Sequence, residues 1–454
     1  MRYRRMTMRI RSEEAINESS FPGSILPVNR LDKNLSVIVR FFVLAVMSAM
    51  LLTACGSNGV SGQNVSGNVS DSVGDASLHM GSDEPLLKQD SLWSDGNSLK
   101  AMIISDLHYT EYKEVDHKSV PGMAVAEEIA DTIVQEVISK HPDVFIMTGD
   151  NTNSGYSGDV SGLIAKLRKI KDSGIPVIVT TGNHDFDLMN EAEYEEAYSE
   201  LPDPVDRDPS SLSYTAIVKD VVFLAMDDKA LHIGAQGEFS DETMKWLRAM
   251  LEKYKGRKVV FLSHHNVLYG TGEKGEESHV IHNKELPQVL RDGGVKLVIT
   301  GHMHSQYITE ADGLWEILSG MPYSGKHLMG NLAVGDDRMV YYAEPIDFDT
   351  YGSSVEPELQ KLEAESSDFL KETLSGLLEG EGLQGVKKEN VLKLIERFFL
   401  YYEEGSIAEH KEDLKKDPNY KDMLKALWNH NYGPWMESMI ENTKHSGREL
   451  EIVM

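Results

Sequence analysis

The feature that most constrains this chain is a repeated one. Short apolar, β-branched runs stop at a small residue and hand over at once to aspartate, asparagine or histidine. Leu99-Lys-Ala-Met-Ile-Ile-Ser105 leads to Asp106-Leu-His108, and Val144-Phe-Ile-Met147 leads through Thr148-Gly149 to Asp150. Val177-Ile-Val-Thr180 leads to Thr181-Gly-Asn183-His184-Asp185, Lys258-Val-Val-Phe-Leu-Ser263 to His264-His265-Asn266, and Val295-Lys-Leu-Val-Ile299 to Thr300-Gly-His302-Met-His304. Runs of this length and composition are buried strands. Helical patterns from Met123 to Lys140 and from Gly162 to Lys171 separate the first three, giving the strand-helix-strand order of a parallel sheet. Residues just past the carboxyl ends of such strands converge on one edge. Glycine before the polar residue allows a sharp exit and a close backbone approach to a ligand.

Each strand end says little alone. His-x-His after a strand is more often a pair of partly exposed loop histidines, Asp-x-His a capping or loop carboxylate, and Gly-Asn-His a turn with asparagine in the left-handed region. Neighbouring side chains on an extended chain point opposite ways, so at most one of His264 and His265 is expected to bind directly. Asp227 and Asp228, at the end of a strand from Val221 to Met226, read as solvated loop carboxylates, with an outer-shell role as the alternative. Five such ends in succession are nevertheless hard to attribute to loop composition.

The remaining elements follow the same logic. Tyr214 to Val218 and Val221 to Met226 form a hairpin about Lys219-Asp220, while residues 186 to 212 read as an inserted helix and loop near the mouth of the site. Asp241 to Lys255 and Lys284 to Arg291 are helical, and the polar loop 269 to 284 is a candidate substrate rim. Gln306 to Thr309, Leu314 to Leu318 and Arg338 to Ala343 read as antiparallel strands closing a second sheet. From about Pro357 onward Leu359, Leu362, Leu374, Val391, Phe398 and Tyr402 recur at helical spacing, followed by Trp428, Tyr432 and Trp435. A small helical domain packing its own core is the simplest account, and a substrate-contacting cap the alternative.

The ordered set Asp106-x-His108, Gly149-Asp150, Gly182-Asn183-His184, His264 and Gly301-His302-x-His304 resembles the calcineurin-like metallophosphoesterase superfamily over about residues 99 to 345. The resemblance implies an α/β fold, a two-sheet α/β/β/α sandwich, here followed by the small helical C-terminal domain. It also implies a two-metal centre at the strand ends. One ion would take Asp106, His108, Asp150 and His304, the other Asp150, Asn183, His264 and His302, with Asp150 shared. His184 would be the catalytic general acid or transition-state donor, with Asp185 as a partner able to hold its ring. Oxygen and imidazole ligands without thiolate suit Mn, Fe or Zn and do not choose among them. Two such ions would activate a bridging hydroxide and clamp the attacking and leaving oxygens of a phosphoryl displacement. The His264-His265 form and the carboxyl-terminal extension look like bacterial secreted relatives of the class III cyclic nucleotide phosphodiesterases. A small phosphodiester, with cyclic nucleotides as the named candidate, is therefore the expected substrate. A phosphomonoesterase, a nuclease-like diesterase, or a binding lipoprotein with a vestigial site are the alternatives.

Composition bounds partners and address. The chain has 454 residues, 41% of them hydrophobic, enough for a large core with appendages. Its formal charge is −28, and the first 54 residues carry a net +4, leaving −32 for the rest. Nucleic-acid binding is not expected on such a surface, so an anionic substrate would depend on local positive charge. The single cysteine, Cys55, excludes an intramolecular disulfide. Basic residues between Arg2 and Arg40 precede the apolar run Phe41 to Leu52, an arrangement of secretory signals and short for a membrane span. Leu52-Thr-Ala-Cys55 resembles the bacterial lipobox, in which the cysteine becomes the lipidated mature terminus. A plain signal or short anchor is the alternative. The expected organisation is a signal segment over 1–55, a Ser/Gly/Asn-rich tether over 56–97, a catalytic domain over 98–350 and a helical domain over 355–454. The protein would be anchored to the membrane by an N-terminal lipid, facing outside the cytoplasm.

Overall fold

Along β1 (Leu99–Ile104) alternate side chains enter different layers, since successive Cβ atoms point to opposite faces of a sheet. Ala101 and Ile103 lie in one buried cluster, Met102 and Ile104 in another. The computed structural model describes residues 86–89, 91–111, 121–229, 237–268, 280–323, 325–428, 430 and 432–454. The signal segment with Cys55, the tether up to residue 85 and residues 269–279 of the polar loop lie outside the described residues.

β2 (Val144–Thr148) and β3 (Val177–Thr180) lie parallel to β1 in sequence order. The chain then supplies β4 (Asp206–Arg207), β5 (Tyr214–Val218), β6 (Val221–Ala225), β7 (Lys258–Leu262) and β8 (Leu297–Thr300). Next come β9 (Tyr307–Ala311), β10 (Leu314–Leu318), β11 (Leu328–Val334), β12 (Arg338–Pro345) and, after a helical stretch, β13 (Glu449–Val453). One sheet has the order β13-β12-β11-β1-β2-β3, the other β4-β5-β6-β7-β8-β10-β9. Ala101, Ile146, Phe223, Leu262, Ile299 and Leu332 share the core that joins the two sheets.

The outer faces are covered by helices. Ile129, Ile133 and Val137 of the helix Ala126–Lys140 and Leu163 and Leu167 of Ser157–Asp172 pack with Met102, Phe145 and Met147. Met244, Leu247 and Leu251 of Asp241–Lys253 pack with Val222, Leu224 and Phe261. This is the α/β/β/α sandwich that the sequence leads one to expect. Ser240 caps the last helix by accepting the Thr243 N–H at 3.1 Å. Burial of those three residues, about 1.5–3 kcal/mol each, outweighs the cap at about 1 kcal/mol.

Several elements differ from expectation. β11 was not anticipated, because Gly330 and Asn331 break its apolar run, yet it is the antiparallel partner of β1. The Tyr341 ring occupies the space that a Cβ on Gly330 would need. β12 joins this first sheet and does not close the second. β10 forms a hairpin with β9 and pairs parallel with β8. The carboxyl-terminal segment is not helical throughout. After the helices Glu356–Gly380, Gly385–Glu403, Ile407–Lys416, Tyr420–Trp428 and Tyr432–Asn442 the chain returns as β13 on β12, and Leu450 and Ile452 enter the inter-sheet core.

The expected tether also ends early. The Leu87 N–H donates to Glu449 Oε2 at 3.1 Å, Lys88 pairs with Glu344 at 2.8 Å, and Leu92 packs with Ala333 and Val340. Leu87, Leu92 and Trp93 give this stretch apolar surface to bury. No helix among the described residues is long and apolar enough to cross a membrane.

Candidate metal centre

The exits of β1, β2, β7 and β8 meet at one place. Potential ligand atoms of Asp106, His108, Asp150 and His304 lie within 4.8 Å of one another, as do those of Asp150, His264 and His302, and Asp150 belongs to both groups. The chain reaches these positions by turning sharply. Asp106 (φ 52°), His108 (41°), Asp150 (46°), His302 (72°) and His304 (53°) all occupy the left-handed region. Aspartate and histidine tolerate it better than most side chains, but each such residue still costs about 1 kcal/mol or more. Concentrated strain of this kind persists where surrounding contacts over-determine the backbone.

Those contacts are specific. Asp106 N–H donates to Gly149 O at 3.1 Å, His108 N–H to Asp150 O at 2.9 Å and Gly301 N–H to His264 O at 3.0 Å. The Asp106 carboxylate accepts the His302 N–H at 3.0 Å, and Asp150 Oδ1 accepts the His184 N–H at 2.7 Å. Three glycines make the approach possible. A Cβ on Gly149 would meet the His264 ring, on Gly182 the Asp150 backbone and carboxylate, and on Gly301 Ser105 and Asp106.

The imidazoles face one another. His108 Nε2 and His304 Nε2 are 3.1 Å apart, and His302 Nδ1 and His264 Nε2 3.3 Å apart. The carbonyl of Thr148, 2.9 Å from His264 Nδ1, can only accept, so it fixes a proton there and turns Nε2 toward Asp150 Oδ2, 3.2 Å away. Burial pushes His108 down to about 3, which keeps its ring neutral. Burial also opposes charge on His264 and Asp150, yet the Asp150 carboxylate carries His264 up to about 10. The surrounding imidazoles in turn hold Asp150 well below the usual carboxylate range. The buried carboxylates thus keep their charge only with positive charge among them.

A cation pair fits this set. The donors are carboxylate oxygens and imidazole nitrogens, without thiolate. Two ligands each about 2.1 Å from one ion at a right angle stand about 3 Å apart, close to the separations of the facing imidazoles. Asn183 follows Gly182 past the end of β3, and its Oδ1 is buried without a hydrogen-bond partner. A buried acceptor left in this way costs about 1–3 kcal/mol, and a cation would satisfy it.

His184 lies at the edge of the groups, its ring centre 5.0 Å from that of His108. Burial lowers its proton affinity, but Asp150 and a hydrogen bond to Asp187 raise it to about 9. The hydrogen bond joins His184 Nδ1 to Asp187 Oδ2 at 2.8 Å. Asp185, expected to hold this ring, does not. Its carboxylate accepts the backbone N–H groups of Asn151 (3.3 Å), Thr152 (3.0 Å) and Gly182 (3.0 Å), bracing the exits of β2 and β3. The reason is helical geometry. His184–Phe186 is a 3-10 turn with three residues per turn, so residue 187 and not 185 shares the face of residue 184.

Asp227 and Asp228 are also corrected, being buried and not solvated. Asp228 Oδ2 accepts the His264 and His265 N–H groups at 2.9 and 2.7 Å, and its Oδ1 lies 2.9 Å from His265 Nδ1. Asp227 accepts the Thr181 hydroxyl at 2.7 Å. His265 belongs to neither ligand group, and its ring stands 4.3 Å from that of His302. Glu316, a carboxylate inside the apolar strand β10, carries a further signal in the sequence. It is buried and accepts the N–H groups of Val267 (2.8 Å) and Leu268 (2.6 Å) and the hydroxyl of Thr300 (2.9 Å).

Residues 99–306 match the calcineurin-like phosphoesterase family. The chain is 24% identical over 211 residues to the glycerophosphodiester phosphodiesterase GpdQ of Enterobacter lignolyticus, covering 46% of this chain and 73% of that protein. It is 26% identical over 209 residues to a protein of Fibrobacter succinogenes named "Probable cyclic nucleotide phosphodiesterase", with 46% and 73% covered. Among solved structures, a dimetal phosphatase from Danio rerio aligns with a TM-score of 0.42 and 14% identity, over 54% of this chain and 95% of that one.

Proposed function

We propose that this chain, whose residues 99–306 form a calcineurin-like phosphoesterase domain and make it an enzyme of that superfamily, hydrolyses small phosphodiesters, with 3′,5′-cyclic nucleotides as the leading candidates. The observation that carries this reading is the joining of two ligand groups, buried except for the half-buried His302 and His304, through the single carboxylate of Asp150. That both curated relatives are named as phosphodiesterases supports a diester over a monoester.

In this proposal Asp106, His108, Asp150 and His304 hold one metal ion, and Asp150, Asn183, His264 and His302 the other. When bound, the ions supply an acidified water and charge to neutralise the phosphoryl oxygens. The residues supply the remainder. His264 is held in one tautomer by Thr148, so its Nε2 is offered as a ligand. His184, whose ring is held by Asp187, donates a proton to the departing ester oxygen. With the proton fixed on Nδ1 by Asp187, Nε2 is the nitrogen that delivers it. No serine or cysteine nucleophile is required.

The test is metal analysis of the purified protein combined with turnover of bis-p-nitrophenyl phosphate, cyclic AMP and p-nitrophenyl phosphate in added Mn²⁺. Diester hydrolysis lost in Asp150→Asn is the expected result. Monoester hydrolysis with no diester turnover would overturn the proposal. The proposal extends to location. Leu52-Thr-Ala-Cys55 supports lipid attachment at Cys55 and a membrane-bound position outside the cytoplasm. Incorporation of labelled palmitate that persists in Cys55→Ala would contradict it.

A further inference from the structure

The loop that carries His302 and His304 is gripped from outside the sandwich. Met303, between the two histidines, packs against the cluster of the carboxyl-terminal helices that includes Phe399, Tyr402 and Met439. Tyr307 and Leu318, from β9 and β10, belong to that same cluster. Two residues beyond His304 lies Gln306, with 1% of its surface exposed. Its Nε2 donates to Gly447 O at 2.8 Å and Tyr341 Oη at 3.1 Å, and its Oε1 accepts the Gly320 N–H at 3.3 Å.

The Gln306 carbonyl is also enclosed. A Cβ on Gly405 or on Gly447 would meet it, and the two glycines are themselves joined by the Gly447 N–H donating to Gly405 O at 2.7 Å. Gly405 follows the helix Gly385–Glu403, and Gly447 precedes β13. Two distant points of the helical segment therefore close on one residue of the catalytic loop. Meanwhile His302 and His304 sit at φ 72° and 53°, a strained path that needs external support.

We propose that Gln306 is a positioning residue for the metal centre. Together with Met303 it transmits the packing of the carboxyl-terminal helices to His302 and His304, so the helical segment is a working part of the site and not an appendage. The inference rests on the metal reading above, through the assignment of these two histidines as ligands.

The test measures Mn²⁺ affinity of the full chain by calorimetry, alongside melting temperature. Gln306→Ala and Met303→Ala are expected to weaken Mn²⁺ binding about 10-fold or more, the effect typical of residues that orient metal ligands. Met303→Leu, which keeps volume and apolar character, should retain it. Leu247→Ala, a cavity in the separate cluster under the helix Asp241–Lys253, should lower the melting temperature but change Mn²⁺ affinity by no more than about 2-fold. Unchanged affinity in Gln306→Ala, or an equal loss in Leu247→Ala, would overturn the inference while leaving the metal reading intact. If Gln306→Ala does not fold, the contrast between Met303→Ala and Met303→Leu decides in the same way. Wild-type protein that takes up no Mn²⁺ would overturn the metal reading and this inference with it.

Discussion

His184 and Asp187 share one face of a single 3-10 turn, with Nδ1 2.8 Å from Oδ2. The carboxylate stabilises the protonated ring, so removing it must lower the affinity of His184 for its proton. If His184 is the acid, the alkaline limb of the kcat/KM profile reports its deprotonation. In Asp187→Asn that limb should move to lower pH, while His184→Ala should lose about 10²-fold or more in rate. A limb that stays in place in Asp187→Asn would remove His184 from the acid role.

Gly182 is the point where the exit of β3 touches Asp150. A Cβ there would enter the space of the Asp150 backbone and carboxylate. The carboxylate cannot move without losing the His184 N–H bond at 2.7 Å. Gly182→Ala should therefore cost about 1–3 kcal/mol of stability, as overpacking does. It should also reduce metal content and activity together. Full metal content with normal turnover would show that Asp150 has more room than its neighbours suggest.

Glu316 lies between the chain after His265 and the end of β8. Replacing it with alanine leaves the Val267 and Leu268 N–H groups without their acceptor. At about 1–3 kcal/mol for each buried donor left unpaired, Glu316→Ala should lower the free energy of urea unfolding by about 2–6 kcal/mol. Glu316→Gln keeps an acceptor oxygen and should lose less. Equal losses in the two variants would mean that charge and not hydrogen bonding sets the requirement.

What could be read from the sequence was whatever depends on local pattern. Short continuous apolar runs mark β1, β2, β3, β7 and β8, because buried strands leave little choice of residue. The glycines at 149, 182 and 301 mark their exits, because close backbone approach excludes a Cβ. What escaped depends on long-range pairing. β11 carries Gly330 and Asn331 and looks like a loop until β1 and β12 flank it. β13 is a strand only because β12 offers it an edge. In the site, ligand-type residues were visible by their spacing, whereas the groups that hold them were not. Asp228 and Glu316 act on backbone N–H groups brought to them by the fold, and a solvated carboxylate in sequence looks the same as a buried one. Asp187 was within reach, since the i, i+3 rule of a 3-10 turn would have preferred it to Asp185.

His302 and His304 are two residues apart yet belong to different ligand groups, one with Asp150 and His264, the other with Asp106, His108 and Asp150. Their separation follows from the left-handed backbone at both positions, which turns the chain between them and directs the rings apart. If each group holds its own ion, His302→Ala and His304→Ala should each lower metal content from two ions toward one. The ion that remains should differ in affinity and in its spectroscopic signature with Mn²⁺. Asp150→Asn, which removes the shared carboxylate, should deplete both. Because an ion held by this set binds the folded site and not the unfolded chain, added Mn²⁺ should raise the wild-type melting temperature. In Asp150→Asn the rise should be nearly absent, and in each histidine variant intermediate. Loss of the same single ion in both histidine variants would refute the division of ligands.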